Sequence, residues 1–115
     1  MRPRDPRVFL FDALSAAEAV ARFTGGCSLG QYESDEILRS AVERRFEIMG
    51  EALNRAMRAD SALIDSLPDA RKMIAFRNVL AHGYDAVLDE TVFAVATFDV
   101  PLLIEQLRLQ LEASR

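Results

Sequence analysis

Apolar residues recur along this chain at intervals of three and four, the period of an α-helix with one buried stripe. The first run carries Leu10, Leu14, Ala17 and Ala21, with Ala13 and Val20 beside them. It predicts a helix opening near Pro6, a residue tolerated in a first turn, and closing at Gly25-Gly26. Residues 27–33 read as a short loop. The clearest run pairs Ile37/Leu38, Ala41/Val42, Ile48/Met49, Ala52/Leu53 and Ala56/Met57. It predicts a second helix from an N-cap at Ser34 to about Arg58. Glu43, Glu47 and Glu51 lie mainly on another face, and Glu51 to Arg55 is a favourable i,i+4 pair. Gly50 costs this helix about 1 kcal/mol relative to alanine, so a glycine there is either a site of close approach by another backbone or a tolerated defect. A third helix runs from near Pro68 to His82, with Met73, Ile74, Phe76, Val79, Leu80 and Ala81 as apolar positions and Gly83 as its terminator. A fourth starts at Asp89 as N-cap and carries Val92, Phe93, Val95, Ala96, Leu102, Leu103, Leu107 and Leu111. Pro101 falls inside that pattern and predicts a kink or break. With no strand pattern or internal repeat, the chain reads as one all-α domain over residues 1–115, an antiparallel four-helix bundle with a kinked or broken last helix.

Composition narrows the functional classes. The chain is 115 residues long and half apolar, enough for one modest core. A net charge of −4 argues against binding duplex DNA through a broad basic surface, but leaves room for a local basic cleft. Thirteen of the fourteen basic residues are arginines, which suit bidentate phosphate contacts better than lysine. A single cysteine, Cys27, rules out an internal disulfide and a zinc site of several cysteines, and fits a reducing, cytoplasmic setting. The basic start Met1–Arg7 is followed by no long apolar run, since Asp12 and Glu18 interrupt it. Neither a signal peptide nor a membrane span is expected.

The chemistry gathers in Phe76-Arg77-Asn78-Val79-Leu80-Ala81-His82-Gly83-Tyr84-Asp85. This stretch holds the only histidine, with an arginine five residues before it and one of the two tyrosines two residues after it. On one continuous helix, residues five apart diverge by about 140°. A helix ending at His82, with Gly83 turning the chain, lets His82 swing back toward Arg77. Such a set could cleave RNA without a metal. A base takes the proton of the 2′-hydroxyl as it attacks phosphorus, and a fixed cation stabilises the phosphoryl oxygens. Imidazole exchanges protons near neutral pH, and an arginine fork matches two phosphate oxygens. One histidine supplies half of an acid–base pair, and a two-fold dimer supplies the rest. The residue types alone favour a plainer account: a histidine capping a helix C-terminus, a solvated or carboxylate-paired arginine, and a tyrosine at the edge of the core.

Taken whole, the chain resembles the HepT-like branch of the HEPN family, ribonuclease toxins of bacterial and archaeal toxin–antitoxin pairs. Arg77 to Tyr84 is similar to the family's R-x-x-x-x-H-x-Y signature. Ala41 to Ala52 is similar to its second recurring block, and Leu67-Pro68 and Val100-Pro101-Leu102 also match. The resemblance implies a dimeric helical bundle whose two protomers share a cleft that cuts RNA without metal or cofactor. Arg77 and His82 would be catalytic, and Asn78 a supporting polar residue. The partner would be a minimal nucleotidyltransferase antitoxin that transfers AMP from ATP to Tyr84. Arg44 and Arg45 are candidates for RNA contact, with Arg39, Arg71 and Lys72 as further basic residues able to line the cleft. Glu51 would either orient Arg77 or pair with Arg55. The chain departs from the family in lacking tryptophan: Asp69 follows Pro68, and Phe93 takes roughly the place of a second one. A different class of function remains open at this point, a non-catalytic helical module that binds a nucleotidyltransferase or its substrate.

Overall fold

The structure, a computed structural model, describes residues 5–82 and 88–113. Helix α1 (Pro6–Thr24) starts with Asp5 as N-cap, its Oδ1 accepting from Arg7 N at 3.0 Å. It buries Leu10, Ala13, Ala17 and Val20 completely and ends at Gly25, after which Gly26 adopts φ 77°. The expected loop over residues 27–33 is instead largely a short helix, α2 (Leu29–Ser34). A reciprocal capping box produces it: Gln31 N donates to Ser28 Oγ at 3.1 Å, and Ser28 N donates to Gln31 Oε1 at 2.8 Å. Helix α2 carries Tyr32 into the core, its ring centroid 5.4 Å from that of Phe93.

Ser34 therefore closes α2 rather than opening the next helix. The N-cap of α3 (Glu36–Ala59) is Asp35, whose Oδ1 accepts from Leu38 N at 3.0 Å. Helix α4 (Ser61–Asp65), capped by Asp60, drops a fully buried Ile64 under the chain between the long helices. Helix α5 (Ala70–Ala81) begins two residues later than Pro68 suggested. The carboxylate of Asp69 is not spent on capping it, because Oδ2 accepts from Gln106 Nε2 at 2.6 Å. In return Asp69 N donates to Gln106 Oε1 at 3.2 Å, and Lys72 Nζ meets Asp99 Oδ1 at 2.8 Å. These bonds tie the start of α5 to the last helical stretch.

That stretch comprises α6 (Asp89–Ala94), a π-helical turn (Val95–Asp99) and α7 (Val100–Ala113). Its N-cap is Leu88 rather than Asp89, which sits in the first turn, where a carboxylate favours the positive end of the helix dipole. Pro101 does not break the helix. Its ring would crowd the carbonyl four residues back, and the wider π turn just before it, where Val100 N reaches Val95 O, accommodates the extra bulk.

The long helices stack in the order α7, α1, α3, α5, with one core between them. The expected all-α bundle is thus present, its four long stretches supplemented by α2 and α4. The close approach foreseen at Gly50 is to α5, at Met73 and Arg77. No helix among the described residues is long and apolar enough to cross a membrane.

Candidate active site

Helix α5 crosses α3 with its first half anchored and its second half open. Ala70, Met73 and Ile74 are buried, and Phe76 packs edge-on against the buried Phe46 of α3 with centroids 5.1 Å apart. Beyond them Asn78, Val79, Ala81 and His82 are exposed. Arg77 stands at the boundary, its side chain 33% exposed. Its Nη2 lies 3.4 Å from Glu51 Oε2 of α3, and its Nη1 donates to Asn78 Oδ1 at 3.2 Å. Glu51 does both things the sequence suggested, since its other oxygen, Oε1, accepts from Arg55 Nε at 3.1 Å. One carboxylate therefore serves two guanidinium groups. Arg77 Nε is buried and has no hydrogen-bond partner among the described residues. A buried, unpaired donor on a cation is costly to leave unmet.

Arg77 and Glu51 border a surface groove of about 440 Å³ between α1 and α3. Its basic residues are Arg44, Arg45, Arg55 and Arg77, against the carboxylates of Asp12, Glu47 and Glu51. Arg44 pairs with Glu47 at 3.2 Å. The groove so carries a positive excess on a chain whose net charge is negative. Arg44 and Arg45 thus line the same groove as Arg77. Arg39, Arg71 and Lys72 lie elsewhere, engaged with Asp89 at 3.7 Å, Asp65 at 2.8 Å and Asp99 at 2.8 Å. Arg55 enters the groove although the sequence marked it only as a helix-pair partner. Its i,i+4 spacing to Glu51 was visible, but the shared carboxylate was not.

His82 is the C-cap of α5, with φ −82° and ψ −1°, and its backbone N–H donates to Asn78 O at 3.1 Å. Its side chain is exposed. It lies about 7.5 Å farther along the helix axis than Arg77, given 1.5 Å per residue, and outside the residues that line the groove. Within this chain the histidine and the arginine-rich groove are therefore neighbours rather than one pocket. Tyr84, the proposed acceptor of AMP, lies outside the described residues. No cluster of three or more His, Cys, Asp or Glu side chains among the described residues is arranged to hold a metal ion.

The half-buried arginine at the arginine-rich groove and the exposed histidine after it sit within the segment that known proteins share with this chain. It is 29% identical over 111 residues to "Putative RNase MJ1380" of Methanocaldococcus jannaschii, covering 95% of this chain and 99% of that protein. "Putative RNase MJ0125" of the same organism is 27% identical over 101 residues, 88% of this chain and 86% of its own length. No solved structure matches the chain. The family model for ribonuclease HepT-like proteins matches residues 13–109, most of the chain, including His82 and every arginine of the groove, and the chain belongs to that family.

Proposed function

We propose that this protein is a metal-independent endoribonuclease, the toxin of a toxin–antitoxin pair, acting as a homodimer with a shared cleft. The observation that carries this reading is the state of Arg77. Its head is held by Glu51 and Asn78, its Nε is buried and unpaired, and it overlooks a groove with excess positive charge. A phosphate oxygen is the ligand that suits the exposed part of such a guanidinium, while the buried Nε is closed to solvent and ligand alike. His82 stands one short step farther along α5, exposed and able to face a second copy.

In this reading the 2′-oxygen of RNA attacks the adjacent phosphorus, and the O5′–P bond breaks. The His82 of one protomer takes the 2′-hydroxyl proton, and that of the other protomer delivers a proton to the departing 5′-oxygen. The products are a 2′,3′-cyclic phosphate and a 5′-hydroxyl. Arg77 stabilises the negative charge on the non-bridging oxygens as the phosphorus becomes five-coordinate. Asn78 orients Arg77, while Arg44 and Arg45 hold flanking phosphates. A minimal nucleotidyltransferase antitoxin silences the enzyme by transferring AMP from ATP to Tyr84. The added phosphodiester is a bulky anion two residues from His82 and repels RNA.

The deciding experiment is cleavage of labelled single-stranded RNA by pure wild-type protein and by His82→Ala. We expect a loss of at least about 100-fold with unchanged helicity, the scale of a lost general acid–base group. Equal cleavage by the two proteins would remove His82 from the mechanism. No cleavage by either would favour a non-catalytic binding module. Tyr84→Phe should fold and cleave RNA but take up no AMP from a cognate nucleotidyltransferase, as read by intact mass. AMP recovered on another residue would reassign the acceptor.

A further inference from the structure

Gly50 is buried in the middle of α3, at the point where α5 lies against it. A Cβ added there would stand 2.3 Å from Arg77 Cβ, 2.7 Å from Arg77 Cγ and 3.4 Å from the carbonyl oxygen of Met73. Carbon atoms pack at about 3.5–4.0 Å, so the two nearest contacts are impossible as they stand. The position of a Cβ is fixed by its backbone, so no rotamer change at Arg77 relieves the first of them. Relief requires α5 to lift from α3 by roughly 1 Å or more at this point. The ion pair between Arg77 Nη2 and Glu51 Oε2 is already 3.4 Å long, and such a lift would carry the base of the arginine away from it. Alanine is the better helix former, so the glycine is not explained by α3 itself. It is explained by what lies across it.

We propose that Gly50 is a positioning residue for Arg77. The absent side chain lets α5 descend until the arginine stem fills the space and its head reaches Glu51 at the rim of the groove. Glu51, the next residue on α3, fixes the height of the guanidinium, and Gly50 fixes the height of the helix that carries it. The catalytic half of this inference rests on the ribonuclease reading above. The packing half does not.

The test uses the full chain in four forms, wild type, Gly50→Ala, Arg77→Gly and the double variant, with Gly30→Ala as control. An added Cβ at Gly30 meets nothing nearer than Ser28 Oγ at 3.9 Å. Thermal unfolding and the kcat and KM for single-stranded RNA are measured for each. Gly50→Ala should lower Tm, and should lower kcat about 100-fold while KM stays within about threefold, as expected when a group that acts on the transition state is displaced by about 1 Å. Gly30→Ala should keep both. Arg77→Gly removes the two carbons that the new methyl would strike, so adding Gly50→Ala to it should cost no further Tm. If Gly50→Ala alone does not fold, the double variant should.

An equal loss of Tm in both backgrounds, or a double variant that also fails to fold, would overturn the seat. A folded Gly50→Ala with wild-type kcat would overturn its catalytic consequence. Failure of the ribonuclease reading looks different: wild type does not cut, or Arg77→Gly cuts as well as wild type. The coupling in Tm between positions 50 and 77 then still decides the packing half.

Discussion

Helix α3 carries two charged clusters, and they are opposites. Near its C-terminal half, Arg55 and Arg77 share the single carboxylate of Glu51 beside an open groove. Near its N-terminal half, Arg39 faces two carboxylates, Asp89 at 3.7 Å and Glu43, around the buried ring of Tyr32. The second cluster is about as exposed as the first, 27% and 42% for Arg39 and Asp89 against 33% and 36% for Arg77 and Glu51, but it surrounds a buried phenol. Arg39 spends a further donor on the backbone oxygen of Glu33, and the Tyr32 hydroxyl is buried with no partner among the described residues. Burial pushes the Glu43 carboxyl above its ordinary pKa, Asp89 and Glu47 push the same way, and Arg39 opposes them. Burial likewise raises the Tyr32 phenol, with Glu43 and Asp89 adding to it. An excess of carboxylates is relieved internally, by favouring protonated forms. An excess of positive charge on arginine cannot be relieved that way, because guanidinium does not lose its proton. In the ribonuclease reading, an anion from outside relieves it beside the open groove. The same helix thus holds one cluster that closes on itself and one whose arginines border an open groove.

The largest effect that would break this contrast comes from Arg77→Lys. Lysine keeps the charge but loses the fork and the buried Nε donor, so it cannot be held by Glu51 and Asn78 while meeting two phosphate oxygens. RNA cleavage should fall about 100-fold or more, the scale of losing one stabilising donor, with Tm shifted by only a few degrees. Arg39→Lys, the same change in the closed cluster, should leave cleavage within about twofold, because its neighbours are carboxylates of the fold. Cleavage assays on both proteins, with Tm as a check on folding, measure the contrast. Equal losses in the two would mean that the groove does not distinguish Arg77 from any other surface cation.

How far the sequence alone reaches follows the same division. The stripes at three and four spacing located α1, α3, α5 and the last helical stretch, because burial of one helix face is a local, periodic signal. The short helices were not visible that way. Helix α2 has six residues and buries only Tyr32. Its one readable mark was Ser28-x-x-Gln31, a capping-box spacing in a segment otherwise read as loop. The π turn before Pro101 depends on hydrogen bonds that slip by one residue, which no side-chain pattern announces. At the site, Arg77 and His82 were legible as residue types, and Gly50 as a helix position where something approaches closely. That the approaching group is Arg77 itself required knowing how α5 sits on α3. The two alternatives for Glu51 both occur, which a choice between sequence neighbours could not express. Arg39, Arg71 and Lys72 were read by charge alone, and tertiary partners drew them away from the groove.

The closed cluster makes the smallest and most directional prediction. In the folded protein Glu43 has a raised pKa, with burial as the largest cause. A raised carboxyl means that the folded state binds a proton more readily than the unfolded chain does. Its contribution to stability is therefore fully present below the unfolded pKa, about 4.3, and is lost as pH rises through the folded value. At pH 7 the charged Glu43 weakens the fold. Glu43→Gln, neutral at every pH, should then stabilise the protein at pH 7, by at most about 0.5 kcal/mol once solvent screening at this partly exposed position is allowed for. The gain should shrink toward zero as pH falls to about 4. Denaturant unfolding of both proteins at the two pH values measures it. A loss of stability at pH 7 would mean that Arg39 outweighs burial and Asp89, and the cluster would then be a satisfied ion network rather than a strained one.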